Sequence, residues 1–241
     1  MPRKTSQRRS KPARTRRAAA ELRLRRVPQQ TRGQETFDLI LQTTAVLLQE
    51  LGTGALTTNL IAKSAGINVA TLYQYFPNKR SILVELFRRQ AARRKQAIEA
   101  AFQRGLQAKG DWRTGVEAAV DAAHAIRRAE PGSLALGQAM RSHGDLLEYD
   151  RAEARELAHW LAAELQRRAP ALRPQVELIA RCTIESVRAL LDIGQLDESF
   201  EEKRLLEQAR ALAIRYLAPY FEPVSEPRLA AGRSSRGSRA R

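Results

Sequence analysis

The chain has 241 residues, 43% hydrophobic and 28% charged, with a formal net charge of +16; this is globular composition with room for one large domain or two modest ones. A single cysteine, Cys182, excludes an internal disulfide framework and a cysteine-based zinc cluster, and no stretch of roughly 18 consecutive apolar residues is present to span a membrane. Aromatics are 5%, and β-branched runs are scarce beside abundant Ala and Leu, so an all-α fold is expected.

The charge is concentrated at the ends. Residues 1–32 hold 12 Lys and Arg against one acid, Glu21, and residues 222–241 hold five Arg against Glu222 and Glu226. Both segments are rich in residues that bury little apolar surface, so they are expected to be disordered tails. The N-terminal arm lacks the apolar stretch of a secretory signal, which fits a cytoplasmic, nucleoid-associated protein. A basic arm on a nearly neutral body points to a polyanionic partner, nucleic acid first, because each neutralised phosphate releases counterions. Solubilisation or contact with an acidic membrane is the alternative reading of the same charges.

From Gly33 the chain reads as helices. Phe37, Ile40, Leu41, Thr44, Leu48 and Leu51 recur on one helical stripe that Gly52 and Gly54 stop. Thr57 and Thr58 offer hydroxyl caps for a short helix through Ala65, Gly66 breaks it, and Asn68 caps a third helix over about 69–74. Pro77 ends that segment, and a long helix starts near Lys79 and continues towards Gly105 and Gly110. Further helices are predicted at about 113–129, 133–142, 145–168, 174–193 and 198–218, the last ended by Pro219. The total is about nine, without strand-like alternation and without an internal repeat. The domains expected are a basic arm (1–32), a DNA-binding head (33–80), an effector-binding and dimerisation body (81–221) and a basic tail (222–241).

The window from Gly52 to Arg80 carries the functional signal. Ala62 is small enough for close helix packing, Gly66 suits the positive φ of a tight turn, and Ile67 and Leu72 fit the wedge between two helices. Asn68, Val69, Thr71 and Tyr73 would then lie on the outer face, where their types suit base edges and phosphates better than a core. This pattern is a helix-turn-helix. Through Thr57-Thr58, Ile61-Ala62, Ala65-Gly66-Ile67, Thr71-Leu72-Tyr73, Tyr75-Phe76 and Asn78-Lys79, residues 33–80 resemble the DNA-binding domain of the TetR/AcrR family of bacterial regulators. The remainder resembles that family only in helix number and length.

The resemblance implies a contact for each matched position. Thr58 and Asn59 open the second helix at the DNA backbone, with Asn59 within reach of a base. Asn68, Val69, Ala70 and Thr71 face the major groove, Tyr73 and Tyr75 hydrogen-bond phosphates, and Lys79 meets a phosphate from the start of the long helix. Read from the residues alone, Tyr75 fits ring packing as well, and Lys79-Arg80 fit an ordinary solvated pair. Residues 33–80 hold Lys63, Lys79 and Arg80 against Glu35, Asp38 and Glu50, so nonspecific attraction must come largely from the arm.

The resemblance further implies a homodimer built by the last two helices, about 174–193 and 198–218, a palindromic operator in double-stranded DNA, an unidentified small-molecule effector, and repression. Val176, Ile179, Thr183, Val187 and Leu190 form one stripe and Leu205, Ala209, Leu212, Ala213 and Tyr216 the other; periodicity alone fits an intramolecular core face equally. Trp112, His124, Met140, His143 and Trp160 are the candidate lining of an effector pocket. The three histidines lack metal-pair spacing, and no metal or cofactor is expected. Arg127, Arg128 and Arg141 are candidates for meeting an anionic ligand, against their reading as helix-surface arginines. Cys182 is expected to be a small buried hydrophobe. Two other functions compete: an architectural nucleic-acid binder without effector, and a helical enzyme, for which no local catalytic constellation stands out.

Overall fold

Nine α-helices and no strand make up the described residues of the computed structural model, which are 22, 24–26, 28, 30–168, 175–197 and 199–221. In chain order they are α1 (Thr31–Ala55), α2 (Thr58–Ser64), α3 (Val69–Tyr75), α4 (Lys79–Lys109), α5 (Trp112–Ala129), α6 (Ser133–Ser142), α7 (Leu147–Arg168), α8 (Val176–Leu196) and α9 (Glu202–Phe221). The disorder expected of the two basic tails lies almost wholly outside the described residues. Where residues before 33 are described, they belong to the fold: Leu22 is buried in the first core and Leu24 packs against it.

Local chemistry sets the element boundaries. Thr57 caps α2 by accepting from the Leu60 amide at 3.1 Å, and Asn68 caps α3 by accepting from the Ala70 amide at 2.8 Å. Asn78 and Ser81 form a reciprocal capping box at the start of α4, with the Ser81 amide 2.9 Å from Asn78 Oδ1. The helical run of α1 continues to Ala55 across a kink at Gly52, where φ is 68°. Two expected stops are overrun. α8 passes Gly194, beside which Leu205 of α9 packs. α9 passes Pro219 to Phe221; one amide is lost, while the Phe221 ring stacks on Trp112 with centroids 4.3 Å apart.

The apolar residues separate into two cores. The first joins α1–α3 to the start of α4 and to α6, through Phe37, Ile40, Leu72, Phe76, Ile82 and Met140. The second fills the body between α4, α5, α7, α8 and α9, through Phe102, Val120, Leu161, Ile179 and Leu217. Helix α4, about 46 Å long at 1.5 Å per residue, places Ile82 and Phe87 in the first core and Ile98 and Phe102 in the second. It is therefore a rigid connection between the two. The second connection is the α5–α6 turn. At Gly132, φ is 67°, and a side-chain β-carbon there would stand 2.5 Å from the Ala45 carbonyl oxygen of α1.

Candidate nucleic-acid interface

The turn between α2 and α3 is closed by backbone bonds from the Ala65 amide to the Ile61 carbonyl (2.9 Å) and from the Ile67 amide to the Ala62 carbonyl (3.0 Å). Gly66 sits between them at a φ of 66°, where any β-carbon is strained. Ile61, Ala62, Leu72 and Phe76 are buried beneath the turn, so the periodicity of two seven-residue helices is spent on one inner face. The outer face carries exposed Asn59, Asn68, Ala70, Tyr73 and Gln74, with Thr58 and Thr71 half-buried. Asn68 Oδ1 is committed to its cap, so its amide nitrogen remains to donate outward.

The hydroxyls of Thr58 and Tyr73 lie 2.9 Å apart and join the two helices on that face. Three other expected contacts sit differently. Val69 is half-buried and packs on the first core, so only part of its side chain is free for a groove. The Tyr75 ring is buried edge-on to Phe37, 5.8 Å between centroids. Lys79 Nζ donates to the carbonyls of Thr53 at 3.1 Å and Leu56 at 2.8 Å, closing the open end of α1, and one ammonium proton remains for a phosphate. Arg80 is paired with Asp145 at 2.8 Å.

Residues that the sequence reading left in the arm contribute here. The Arg25 amide donates to the Tyr75 carbonyl at 2.9 Å and its guanidinium to the Tyr73 carbonyl at 3.2 Å, so the approaching chain crosses the end of α3. Arg26, Gln30, Arg32, Gly33 and Tyr75 border a shallow groove of about 250 Å³ at the start of α1. The first turn of α1 has no acid, and two arginines beside its free amides make the groove attractive to an anion. No spacing rule in the sequence marks this groove, because it depends on how the chain at Arg25 and Arg26 is brought across the end of α3.

The body contains a narrow cavity of about 80 Å³ bounded by α4, α5, α7, α8 and α9. Trp160 lines it. The other four candidates do not: Met140 is fully buried in the first core, Trp112 is stacked on Phe221, His124 stands 3.6 Å from Glu202, and His143 Nδ1 lies 3.0 Å from its own helix carbonyl at Ala139. Residue type alone points to these four, whereas the cavity is walled mainly by aliphatic residues with Phe102 and Trp160 and ends at charged groups. That charged end is a chain of ion pairs across four helices: Arg94 with Glu153 at 2.7 Å, Arg127 with Asp192 at 2.5 Å, Arg188 with Asp150 at 3.0 Å. Burial pulls the Arg188 guanidinium pKa down, but Asp150 and Glu185 outweigh it and the net shift is upward. Arg128 is exposed and paired with Glu202.

Most of the two interhelical stripes faces inward. Val176, Ile179, Thr183, Val187, Ala209 and Ala213 are buried within the chain, so the intramolecular reading holds for them. Two members of the second stripe, Leu212 and Tyr216, are exposed instead, and other apolar residues of α8 and of the α8–α9 link are uncovered with them: Leu178 is 66% exposed, and Ile193, Leu196 and Phe200 are exposed too. Cys182 lies on this outer side and is exposed, not buried, because it falls one position off the inward stripe.

Residues 40–86 match the model of the tetR family of bacterial regulatory proteins, and residues 111–217 match that of the tetracyclin repressor-like C-terminal domain. A TetR-family transcriptional regulator from Streptomyces coelicolor is 25% identical, superposes with a TM-score of 0.59, and the match covers 77% of this chain and 99% of that one. The fatty acid degradation regulator FadR from Bacillus halodurans shares the fold with a TM-score of 0.63 at 18% identity, over 74% and 94% of the two chains. SmeT, solved as a complex with triclosan, does so with a TM-score of 0.58 at 19% identity, over 75% and 90%. No curated protein sequence matches the chain.

Proposed function

The chain belongs to the tetR family of bacterial regulatory proteins, with a helix-turn-helix DNA-binding domain, and from that premise we propose that it is a homodimeric repressor that leaves a palindromic operator when a small molecule enters its body cavity. The observation that carries this reading is the two-sidedness of α3: Leu72 and Tyr75 are buried while Asn68, Ala70 and Tyr73 are exposed. Asn59, Asn68 and Thr71 supply hydrogen-bonding groups and methyl contact for base edges. Val69 and Ala70 have no polar side-chain atoms, so choice at those positions rests on thymine methyls and DNA shape. Tyr73, the remaining Lys79 proton, the start of α1 and the Tyr75 hydroxyl bordering it are assigned to phosphates. The basic arm adds sequence-independent attraction.

Dimerisation is assigned to the uncovered outer side of α8 and α9, because a monomer seldom leaves several large apolar groups together in water. A two-fold pair of heads then fits half-sites about 34–36 Å apart. The effector reading rests on the cavity and, by analogy, on the triclosan complex of SmeT. Pockets for drug-sized ligands measure roughly 300–1,000 Å³, so an effector must widen this one. Widening displaces the body end of α4, and α4 carries the displacement to the first core.

Selection of duplexes from a random pool tests the proposal. The full chain is expected to enrich an inverted repeat, and Asn68→Ala with Thr71→Ala to lose that preference while retaining salt-sensitive binding. Recovery of no common sequence by the full chain would overturn it.

A further inference from the structure

Charged side chains close one end of the otherwise apolar cavity, and their charges are unequal. Three guanidiniums, Arg94, Arg127 and Arg188, line it against a single carboxylate, Glu153. Asp150 and Asp192 border a second small space, where Arg141 also reaches Asp192 at 3.0 Å. Two of the three arginines are well satisfied: Arg94 gives Nε and Nη2 to Glu153 at 2.9 and 2.7 Å, and Arg188 meets Asp150 in a two-point contact at 3.1 and 3.0 Å. Arg127 differs. Only its Nη1 is engaged, by Asp192, although its side chain is just 11% exposed. Burial holds this guanidinium below its ordinary pKa, with Asp192 offsetting only part of the effect.

A largely buried guanidinium that keeps accessible N–H donors without a protein partner calls for an acceptor, and a carboxylate answers it with two parallel bonds. Apart from Thr183, whose hydroxyl already donates to the Ile179 carbonyl at 2.9 Å, the rest of the lining, including Phe102, Trp160 and Leu161, is aliphatic or aromatic and suits hydrocarbon. We propose that the cavity takes a molecule with an apolar body and one carboxylate head, seated with the head on Arg127. This rests on the reading of the cavity as the effector site. It also supplies a trigger: Arg127 is on α5 and Asp192 on α8, so a ligand carboxylate that shares Arg127 loosens the contact between those helices.

Calorimetric titration of the full chain with matched acids and alcohols tests this. Octanoate against 1-octanol probes an aliphatic body, and 4-phenylbutyrate against 4-phenyl-1-butanol an aromatic one. At least one acid is expected to bind tenfold or more tightly than its alcohol, and which pair shows it identifies the body. In Arg127→Met that ratio should fall towards one. In Glu153→Gln, which removes the competing carboxylate, it should rise; this second variant decides the matter if Arg127→Met does not fold. Equal binding of acid and alcohol, or a ratio unmoved in both variants, overturns the carboxylate assignment and leaves the cavity as an effector site. Binding of none of the four removes both.

Discussion

The hydroxyl of Tyr73 on α3 stands 2.9 Å from that of Thr58 at the first turn of α2. The bond crosses the turn on the side opposite the buried Ile61 and Leu72, so it fixes how the outer faces of the two helices align. In the proposed function it also orients the phenol towards a phosphate oxygen. Tyr73→Phe removes both functions. An exposed neutral bond contributes roughly 0.5–1.5 kcal/mol, and a bond to a charged group about 1.5–3 kcal/mol. The variant is expected to keep its melting temperature within a few degrees and to lose about tenfold in affinity, equally on operator and scrambled duplex. Anisotropy titrations on both duplexes check this; a changed preference between them would contradict a phosphate role.

Lys79 anchors the kinked end of α1 through the Thr53 and Leu56 carbonyls. Lys79→Met should therefore lower folding stability by about 1–3 kcal/mol, the range for bonds from a charged donor, as well as weaken DNA binding. Arg80→Ala, which cuts an exposed ion pair to Asp145, should cost no more than about 1 kcal/mol. Urea denaturation of both variants separates them. Unchanged stability of Lys79→Met would contradict the anchoring role.

Gly132 joins the body to α1 where no side chain fits. Its φ of 67° and the 2.5 Å approach of the Ala45 carbonyl to a β-carbon position act together. Gly132→Ala is expected to cost roughly 2–4 kcal/mol, combining left-handed strain with overpacking. The check is the denaturation midpoint, with Gly144→Ala as comparison, since nothing lies within 4 Å of a β-carbon there.

Glu130 is buried beside Arg93, and its Oε2 has no hydrogen-bond partner. Burial raises its pKa, with Arg93 partly offsetting the rise. A carboxyl with a raised folded-state value is penalised in full above that value, and the penalty fades as pH falls through it towards the unfolded value of about 4.3. Glu130→Gln does not titrate. Its stability relative to the natural chain should be more favourable at pH 8 than at pH 5, and a difference constant with pH would contradict the burial effect.

What was legible in the sequence divides by range. The head was legible because its signals are local: Thr57 and Asn68 cap their helices through amides three and two residues on, and Gly66 needs only its own φ. The inward stripes of α8 and α9 were legible as apolar faces, but periodicity does not name the neighbour, which proved to be the chain's own core. The cavity was not legible. Arg127 and Asp192 are 65 residues apart and Arg94 and Glu153 are 59 apart, and each alone reads as an ordinary helix charge. Arg25 was hidden for the same reason, its partners at Tyr73 and Tyr75 being supplied only by the fold.

Two copies of the α3 face, held by α8 and α9, are the centre of this account. Hydroxyl-radical footprinting of the full chain on its selected duplex addresses them directly. Two protected patches on one side of the duplex, centred about 34–36 Å apart, are the predicted result. A single patch bound at full affinity, or unbroken protection along the duplex, would contradict it.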